Sequence, residues 1–432
     1  MTTSIDHPAP PFKQVAAAVI GNALEWYDFI VYGFMAIVIA RLFFPATSEY
    51  ASMLLTTAAF GVGFFARPVG GILIGIYADR KGRKAALQLI ISMMTIAIAL
   101  IAFAPTHAAI GVAAPVLIVL ARLLQGFATG GEFSSATSFL LEVAPPNKRG
   151  FYSSLQLFGQ SLAVLAGAGM SALITRGLSP QEIESWGWRV PFLVGLLIGP
   201  VGLWIRRHMD ETEAFKKVQD IAIEKRSLSY MLSNHLRDVV IVLGLSICGT
   251  VAFYIILIYM PTFANKELGL PLPDAFMAQA IALTFLTILI PIFGALSDRF
   301  GRKWIMIASS GLLFLALYPM FSWLHANPSF SNLVITQLVL CFCIGGFYGT
   351  YSAVVAEQFP AGVRSTGLAI GYNVAVMVFG GFAQFFVTWL VKETGTPIAF
   401  AFYVMFSAAV GLIAALFIVD RAHDSGLSIV DD

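Results

Sequence analysis

Charged residues are scarce in this sequence. Aspartate, glutamate, lysine and arginine make up only 12% of its 432 residues, and 58% of the residues are hydrophobic. Because soluble domains are about 25% charged, this composition excludes a soluble protein. Cysteine is also rare, and the three cysteines all fall in apolar stretches, which excludes a disulfide scaffold or a cysteine-based metal cluster. The net charge of +2 gives no reason to expect a nucleic-acid partner.

Long hydrophobic runs fill the sequence instead. We identify twelve runs, each about 20 residues long, which is the length of helix that crosses a bilayer. The runs are continuous rather than alternating, which favours helices over barrel strands. Most lysines and arginines flank the runs on the side that also holds both chain ends, so both termini are predicted to be cytoplasmic. The predicted fold is an all-α membrane protein with twelve transmembrane helices.

A ten-residue stretch occurs twice in the chain. Residues 75–84 (GIYADRKGRK) and residues 294–303 (GALSDRFGRK) agree at six of ten positions. Each copy is a short charged turn between two apolar runs. The repeat predicts two pseudo-symmetric six-helix halves, residues 1–205 and 238–432, and a cytoplasmic linker at residues 206–237.

The first hydrophobic run carries two acids. Glu25 and Asp28, together with Asn22 and Tyr32, repeat at intervals of three, three and four residues. This spacing places all four side chains on one face of a helix. A charged acid inside a membrane is costly, so this face should contact protein or water rather than lipid. Asp28 and Glu25 are candidate proton-coupling residues, with Asp28 favoured because it lies near mid-span; alternatively, both acids only join helices through hydrogen bonds.

The second and fourth runs carry buried arginines. In the fourth run, Arg122, Gln125 and Glu132 lie on one helical face. In the second run, Arg67 is followed by Pro68. Either arginine can bind a substrate anion or pair with an acid of the first run, and the sequence leaves both alternatives open. Glu132 is a third candidate for the proton-coupling residue.

The remaining polar candidates are neutral. Gln156 and Gln160 lie four residues apart on the fifth run, and Tyr254, Tyr348 and Asn373 belong to the second half. Amides and tyrosines in membrane helices also serve as contacts between helices, which is the alternative to a role in substrate binding. Charge is therefore concentrated in the first half, and neutral aromatic surface in the second.

On these residues the chain resembles the major facilitator superfamily over its whole length. The twin GxxxDRxGRK stretches carry this resemblance. The motifs GNxxExxDF at residues 21–29, RPxGG at 67–71 and RLLQG at 122–126 are similar to the metabolite:proton symporter branch of that superfamily. This branch includes carriers of citrate, 2-oxoglutarate, shikimate and zwitterionic osmolytes.

The resemblance implies two halves that rock about a central cavity. It also implies a charge network, at the ends of the helices, that locks the outward-facing state. The members of this predicted gating network are Asp79, Arg80, Arg83, Glu142 and Arg149, and around the second copy Asp298, Arg299 and Arg302.

The predicted function is secondary active transport in the bacterial inner membrane. We expect proton-coupled uptake of a di- or tricarboxylate, with citrate or a close tricarboxylate favoured over 2-oxoglutarate, a shikimate-like monoanion or a zwitterionic osmolyte. Neither an enzyme nor a cofactor is expected, because no nucleophile, metal cluster or phosphate loop is found; we expect a monomer whose partners are its substrate, protons and the bilayer. The predicted substrate-binding residues are Arg122, Arg67, Asn22, Tyr32, Gln125, Gln156, Gln160, Tyr254, Tyr348 and Asn373.

Overall fold

Helices account for almost all of the regular structure. The computed structural model describes residues 12–81, 83–130, 132–207, 233–360 and 363–421, and these residues form no β-strand. Twelve long helices follow one another through the described residues, in the order of the twelve hydrophobic runs, with short helices between some of them. Their bounds are α1 (Phe12–Phe34, continued by Ala36–Phe43), α2 (Glu49–Lys81), α3 (Arg83–Ala102), α4 (Ala113–Ala128, continued by Glu132–Val143), α5 (Arg149–Gly177), α6 (Val190–Arg207), α7 (Leu236–Ala252, continued by Phe253–Tyr259 and Met260–Lys266), α8 (Leu272–Phe300), α9 (Arg302–Ala326), α10 (Phe330–Glu357), α11 (Arg364–Ala375, continued by Val376–Gly380 and Ala383–Thr394) and α12 (Ala399–Leu416).

Most of these helices are long and apolar enough to cross a membrane. Within the described ranges, nine continuous helical segments meet this test, and the two parts of α1 together form a tenth span. The two remaining long helices are α3, whose apolar part is Leu89–Ala102, and α6. The predicted all-α membrane fold is confirmed. Most of the linker predicted at 206–237 lies outside the described residues.

Four helices are interrupted along their length. The two parts of α1 meet at an angle of 62°, α4 stops at Ala128 and resumes at Glu132, and α7 and α11 each contain a π-helical stretch. Such breaks leave backbone groups without helical partners, so a membrane protein tolerates them only where other protein groups surround them. At the break in α4, the side chain of Asn373 on α11 donates a hydrogen bond to the carbonyl of Gly130 at 3.0 Å.

Helices α5 and α8 form the largest contact between the two halves. Small residues allow this approach: a Cβ added to Gly150 would lie 2.6 Å from the carbonyl oxygen of Gly294. Further along the same helix pair, the hydroxyl groups of Ser161 and Thr287 lie 2.7 Å apart. The two halves are thus held together along one closely packed helix pair.

The structure is closed at both faces of the membrane. We call the side where α1 begins and α12 ends the terminal face. There, Arg364 of the second half lies 3.3 Å from Glu142 of the first half. At the opposite face, Lys266 of the second half lies 2.8 Å from Glu49 of the first half. The two halves therefore contact each other at both faces in this conformation.

Candidate functional site

Arg122 lies at the centre of the first half with part of its charge unmatched. Its side chain is fully buried at 0% exposure, and its guanidinium carbon lies 4.1, 4.8 and 4.7 Å from the ring centroids of Phe29, Tyr32 and Phe60. One nitrogen, Nη1, donates to Oε1 of Gln125 at 2.7 Å. The other two, Nε and Nη2, are buried without a hydrogen-bond partner in the described part of the chain. Since unmet donors in a buried site are costly, these two atoms are suited to an incoming anion.

Arg67 lies beside Arg122 and shares one of its aromatic neighbours. Its guanidinium carbon is 5.0 Å from the centroid of Phe29, 4.5 Å from that of Phe64 and 5.8 Å from that of Trp26. These contacts are cation–π interactions, which hold a cation without neutralising it. Two positive groups therefore flank one neutral ring in the membrane interior.

Two small cavities lie close to the aromatic neighbours of this pair; Arg67 lines the first of them, and Arg122 lines neither. The first has a volume of about 10 Å³ and is lined by Arg67, Glu25 and Glu132. The second has a volume of about 20 Å³ and is lined by neutral groups. Trp26 and Phe133 line both. Each cavity holds roughly one or two water molecules, so a substrate enters only when surrounding side chains move.

The second cavity is rich in tyrosine. Tyr254, Tyr348, Tyr351 and Tyr372 line it together with Gln160. The hydroxyl of Tyr348 donates to the carbonyl of Gly249 at 2.7 Å, whereas the hydroxyl of Tyr254 is buried without a partner among the described residues. This cavity offers hydrogen-bonding groups without formal charge.

The three predicted proton-coupling acids are not equivalent. Glu25 and Glu132 line the cavity of Arg67. Asp28 is 5% exposed and lies on the side of α1 that faces α6, because a Cβ added to Gly195 would meet its Oδ1 atom at 2.3 Å. Two acids thus face the cavity, and the third lies within the helix packing of the first half.

The predicted amide side chains also differ: some lie at the arginine or line a cavity, and others join helices. Gln125 contacts Arg122, and Gln160 lines the second cavity. Gln156 instead joins α5 to α4, accepting a short hydrogen bond from Thr137 and donating to the carbonyl of Phe133 at 3.2 Å. Asn373 bridges the two halves through Gly130, outside both cavities.

Two further predicted substrate contacts lie on α1. The hydroxyl of Tyr32 donates to the carbonyl of Thr56 at 3.3 Å, while its ring faces Arg122. Asn22 is buried, and neither polar atom of its side chain has a partner in the described structure. Tyr32 thus belongs to the arginine site, and Asn22 retains free hydrogen-bonding capacity.

The second copy of the repeated stretch forms a charge network at the terminal face. The carboxylate of Asp298 accepts hydrogen bonds from the backbone N–H groups of Gly150 at 2.7 Å and Phe151 at 2.9 Å, both at the start of α5. Arg302 lies 3.3 Å from Asp298 and 2.9 Å from Glu357. An acid at a helix N-terminus is favourable because it meets free N–H groups and the positive end of the helix dipole.

The other predicted gating residues differ from one another in burial and in ion pairing. Glu142 pairs across the halves with Arg364, while Arg149 is half-buried at the start of α5. Arg299 is exposed and joins no ion pair within the described residues. The side chains of the first-copy residues lie outside the described set; these residues are Asp79, Arg80 and Arg83.

The aromatic lining of the site was not predicted from the sequence. Phe60, Phe64 and Arg67 nevertheless follow one another at intervals of four and three residues. That spacing puts them on one helical face, so it is a signal that links these rings to the arginine. Among the described residues, no group of three or more His, Cys, Asp or Glu side chains is placed to hold a metal ion.

Comparisons with known proteins agree with this architecture. Residues 14–219 match the family described as Sugar (and other) transporter, and residues 275–429 match the Major Facilitator Superfamily. The chain is 37% identical to a citrate-proton symporter of Klebsiella pneumoniae, over 93% of this chain and 90% of the relative. It is 33% identical to the glycine betaine/proline/ectoine/pipecolic acid transporter OusA of Dickeya dadantii, over 95% and 84%.

A solved structure shares the fold. The xylose transporter XylE from E. coli, in a partially occluded inward open conformation, matches with a TM-score of 0.76 at 17% identity, covering 96% of this chain and 99% of that chain. At this identity the match describes the fold alone. With the family matches and relatives above, the chain belongs to the major facilitator superfamily and is a multi-pass membrane transporter, not an enzyme.

Proposed function

We propose that this protein takes up a di- or tricarboxylate together with protons, by alternating access across a bacterial inner membrane. Both termini lie in the cytoplasm in this proposal. Citrate or a close tricarboxylate is the favoured substrate.

One observation carries the proposal. Arg122 is fully buried with two guanidinium nitrogens unpartnered among the described residues, and it shares the ring of Phe29 with a second guanidinium, that of Arg67. Neutral rings do not cancel the charge of Arg122, and the acids Glu25 and Glu132 line the cavity of Arg67 alone. A substrate with two or three carboxylates supplies the missing negative charge, and each charge-assisted hydrogen bond contributes about 1.5–3 kcal/mol.

The neutral cavity supports a substrate with further polar groups. Tyr254 and Gln160 both have unpartnered side-chain atoms in the described structure and line this cavity. They are suited to orient the part of the ligand that does not contact the arginines. The similarity to a citrate-proton symporter agrees with a substrate that carries several carboxylates.

Proton coupling in this proposal depends on acids near the arginine. Glu25 and Glu132 line the cavity of Arg67, so a bound carboxylate brings negative charge close to them. Binding is then favoured when one of these acids has taken up a proton, and substrate and proton bind with positive linkage. Asp28, the acid favoured from its position along the sequence, faces α6 and is the weaker candidate for this direct linkage.

A zwitterionic osmolyte is the rival substrate. Aromatic cages recognise quaternary ammonium groups, and the described site contains several rings around Trp26 and Phe29. Betaine transport by the relative OusA agrees with this alternative. Against it, the faces of these rings are already occupied by the guanidinium groups of Arg67 and Arg122.

A binding experiment on the purified transporter separates the candidates. Citrate, 2-oxoglutarate, shikimate and glycine betaine are titrated while the binding heat and the intrinsic tryptophan fluorescence are recorded; Trp26, which lines both cavities, is one of the seven tryptophans that contribute to this signal. We expect citrate or another polycarboxylate to bind at least tenfold more tightly than betaine. Tighter binding of betaine would reject the carboxylate proposal.

A further inference from the structure

Gln384 on α11 is a buried amide without a hydrogen-bond partner in the described structure. Its side chain is 0% exposed, and both Oε1 and Nε2 are unpartnered among the described residues. An amide in a membrane helix usually bonds to a neighbouring helix, and a buried polar group without a partner costs stability. The side chain therefore retains one acceptor and one donor group for a partner that the described part of the chain does not supply.

This amide lies at the interface between the two halves. A Cβ added to Gly33 on α1 would lie 3.3 Å from Nε2 of Gln384 and 3.7 Å from the ring of Phe60 on α2. About two turns further along α11, the ammonium of Lys392 is 5.7 Å from the ring centroid of Tyr50 at the start of α2. Gln384 thus meets the first half on the part of α11 that runs to the opposite face.

The ring of Phe60 links this amide to the arginine site. Its centroid lies 4.7 Å from the guanidinium carbon of Arg122 and 5.7 Å from the ring centroid of Tyr254. Two nitrogens of Arg122 and the hydroxyl of Tyr254 are also unpartnered among the described residues. One apolar ring therefore has three neighbouring side chains with unmet hydrogen-bonding capacity, one of them Gln384.

A substrate reaches these groups only if the ring moves. The two cavities measure about 10 and 20 Å³ and Gln384 lines neither of them, whereas ligand sites usually occupy about 300 Å³ or more. A ligand that takes the place of the Phe60 ring lies beside Arg122, Tyr254 and Gln384 together. The polar groups around the ring therefore indicate which chemistry such a ligand carries.

The amide recognises a group that the arginine does not. A guanidinium only donates hydrogen bonds, and an ionised carboxylate only accepts them. An amide also accepts through its oxygen, and a hydroxyl is the group of an organic acid that donates to it. A ligand with a hydroxyl and a carboxylate on the same carbon uses both amide atoms, whereas a carboxylate alone leaves the amide oxygen unpaired.

We propose that Gln384 is a specificity-determining residue that selects hydroxycarboxylates. The substrate hydroxyl donates to its Oε1 atom, its Nε2 atom donates to the carboxylate on the same carbon, and Arg122 binds a further carboxylate. This inference rests on the proposed function, because it requires a polycarboxylate at Arg122. It adds that the hydroxyl, and not only the number of carboxylates, determines which acid is bound.

The first test compares two ligands that differ by one hydroxyl. Tricarballylate has the three carboxylates of citrate but lacks its hydroxyl. The wild-type transporter should bind citrate roughly tenfold more tightly than tricarballylate, because the second ligand leaves the buried Oε1 atom unpaired. In the full-length Gln384→Met variant, the Kd for citrate should rise and the two Kd values should become about equal.

The second test needs no ligand. Methionine has nearly the shape of glutamine and no strong hydrogen-bonding group, so Gln384→Met should retain or raise the Tm of the ligand-free protein. The matched control is Gln337→Met, which replaces another fully buried amide of the second half. The Nε2 atom of Gln337 donates to Oε1 of Gln279 at 2.8 Å, so this variant should lower Tm without changing the ratio of the two Kd values.

The outcomes distinguish this inference from the proposed function. A lost preference for citrate together with an undiminished Tm in Gln384→Met supports the role of Gln384. Equal affinities in the wild type, a preference that survives the substitution, or a fall in Tm as large as that of Gln337→Met overturns it. If the wild type binds neither tricarboxylate, the proposed function fails; if it binds both and only the role of the hydroxyl is absent, the proposed function stands and this inference alone fails.

Discussion

The carboxylate of Asp298 in the second half binds the backbone N–H of Gly150 in the first half at 2.7 Å. This hydrogen bond joins the end of α8 to the beginning of α5, and the same carboxylate accepts from the next N–H, that of Phe151. Because an acid stabilises a helix N-terminus through the free N–H groups and the helix dipole, the closed terminal face gains stability from a contact that opening must break.

Neutralising this acid should therefore shift the protein toward opening at the terminal face. Asp298→Asn retains one acceptor oxygen but loses the charge, and we expect a loss of about 1–2 kcal/mol from the closed state, the range of a helix cap or dipole contact. The reporter is Ser138→Cys, because the hydroxyl of Ser138 in the first half lies 3.3 Å from that of Ser365 in the second half; its labelling by a membrane-impermeant thiol reagent should rise roughly tenfold. The exposed neighbour provides the control: Arg299→Ala should leave the labelling rate unchanged, and equal effects of both substitutions would contradict a role for the cap.

Gly150, whose N–H donates to the carboxylate of Asp298, has no room for a side chain. A Cβ on Gly150 would lie 2.6 Å from the backbone oxygen of Gly294, so Gly150→Ala should prevent full closure at a cost of about 1–3 kcal/mol, typical of overpacking. Gly169→Ala on the same helix meets no atom within 4 Å and is the matched control. Distances between spin labels across the terminal face should lengthen for the first variant only; no change would show that α5 and α8 adjust without separating.

Substrate binding should depend strongly on Arg122. Lysine keeps the charge but cannot reproduce the planar, multiply hydrogen-bonding guanidinium, so Arg122→Lys should weaken citrate binding by about 1.5 kcal/mol or more, which is at least roughly tenfold in Kd. Arg67→Lys should also weaken binding. Arg176→Lys, which changes an arginine half-exposed at the opposite face, should have no effect. Wild-type citrate binding by both of the first two variants would remove the charge argument.

The three acids should differ in their effect on coupling. If Glu25 or Glu132 binds the transported proton, its replacement by glutamine abolishes uptake driven by a pH gradient but retains exchange of substrate between the two sides. Asp28→Asn should then affect folding or the transport rate without this dissociation of uptake from exchange. Uptake and exchange in proteoliposomes distinguish these results. Loss of gradient-driven uptake with intact exchange in Asp28→Asn alone would restore Asp28 as the proton site.

Length and hydropathy were sufficient to predict the helical membrane fold, because a helix needs about 20 apolar residues to cross the bilayer. The repeated stretch correctly marked where one helix ends and the next begins, but it is not itself a turn: in the second copy only Gly301 lies outside a helix. The interruptions within the helices were harder to predict from the sequence. The break in α4 has a local signal in Gly130 and its neighbouring glycine, whereas the bend near Met35 has no proline and depends on packing among helices.

The orientation of individual side chains was only partly predictable. Helical spacing placed Glu25, Asp28 and Tyr32 on one face, but α1 is surrounded by protein on several sides, so different parts of that face meet different neighbours. Glu25 reaches the arginine cavity while Asp28 meets Gly195. The stacking of Tyr372 on Phe133 joins residues of opposite halves, and no spacing along the sequence reports such a contact.

Uptake into proteoliposomes tests the proposed transport most directly. Liposomes containing the full-length protein are given an inward proton gradient, and the accumulation of labelled citrate is compared with that of labelled betaine, with and without the gradient and with Arg122→Lys in parallel. We predict that citrate accumulates above its external concentration only with the gradient, that excess tricarboxylate competes, and that Arg122→Lys loses this accumulation. Gradient-driven accumulation of betaine without uptake of citrate, or citrate accumulation that does not depend on the gradient, would contradict proton-coupled carboxylate transport.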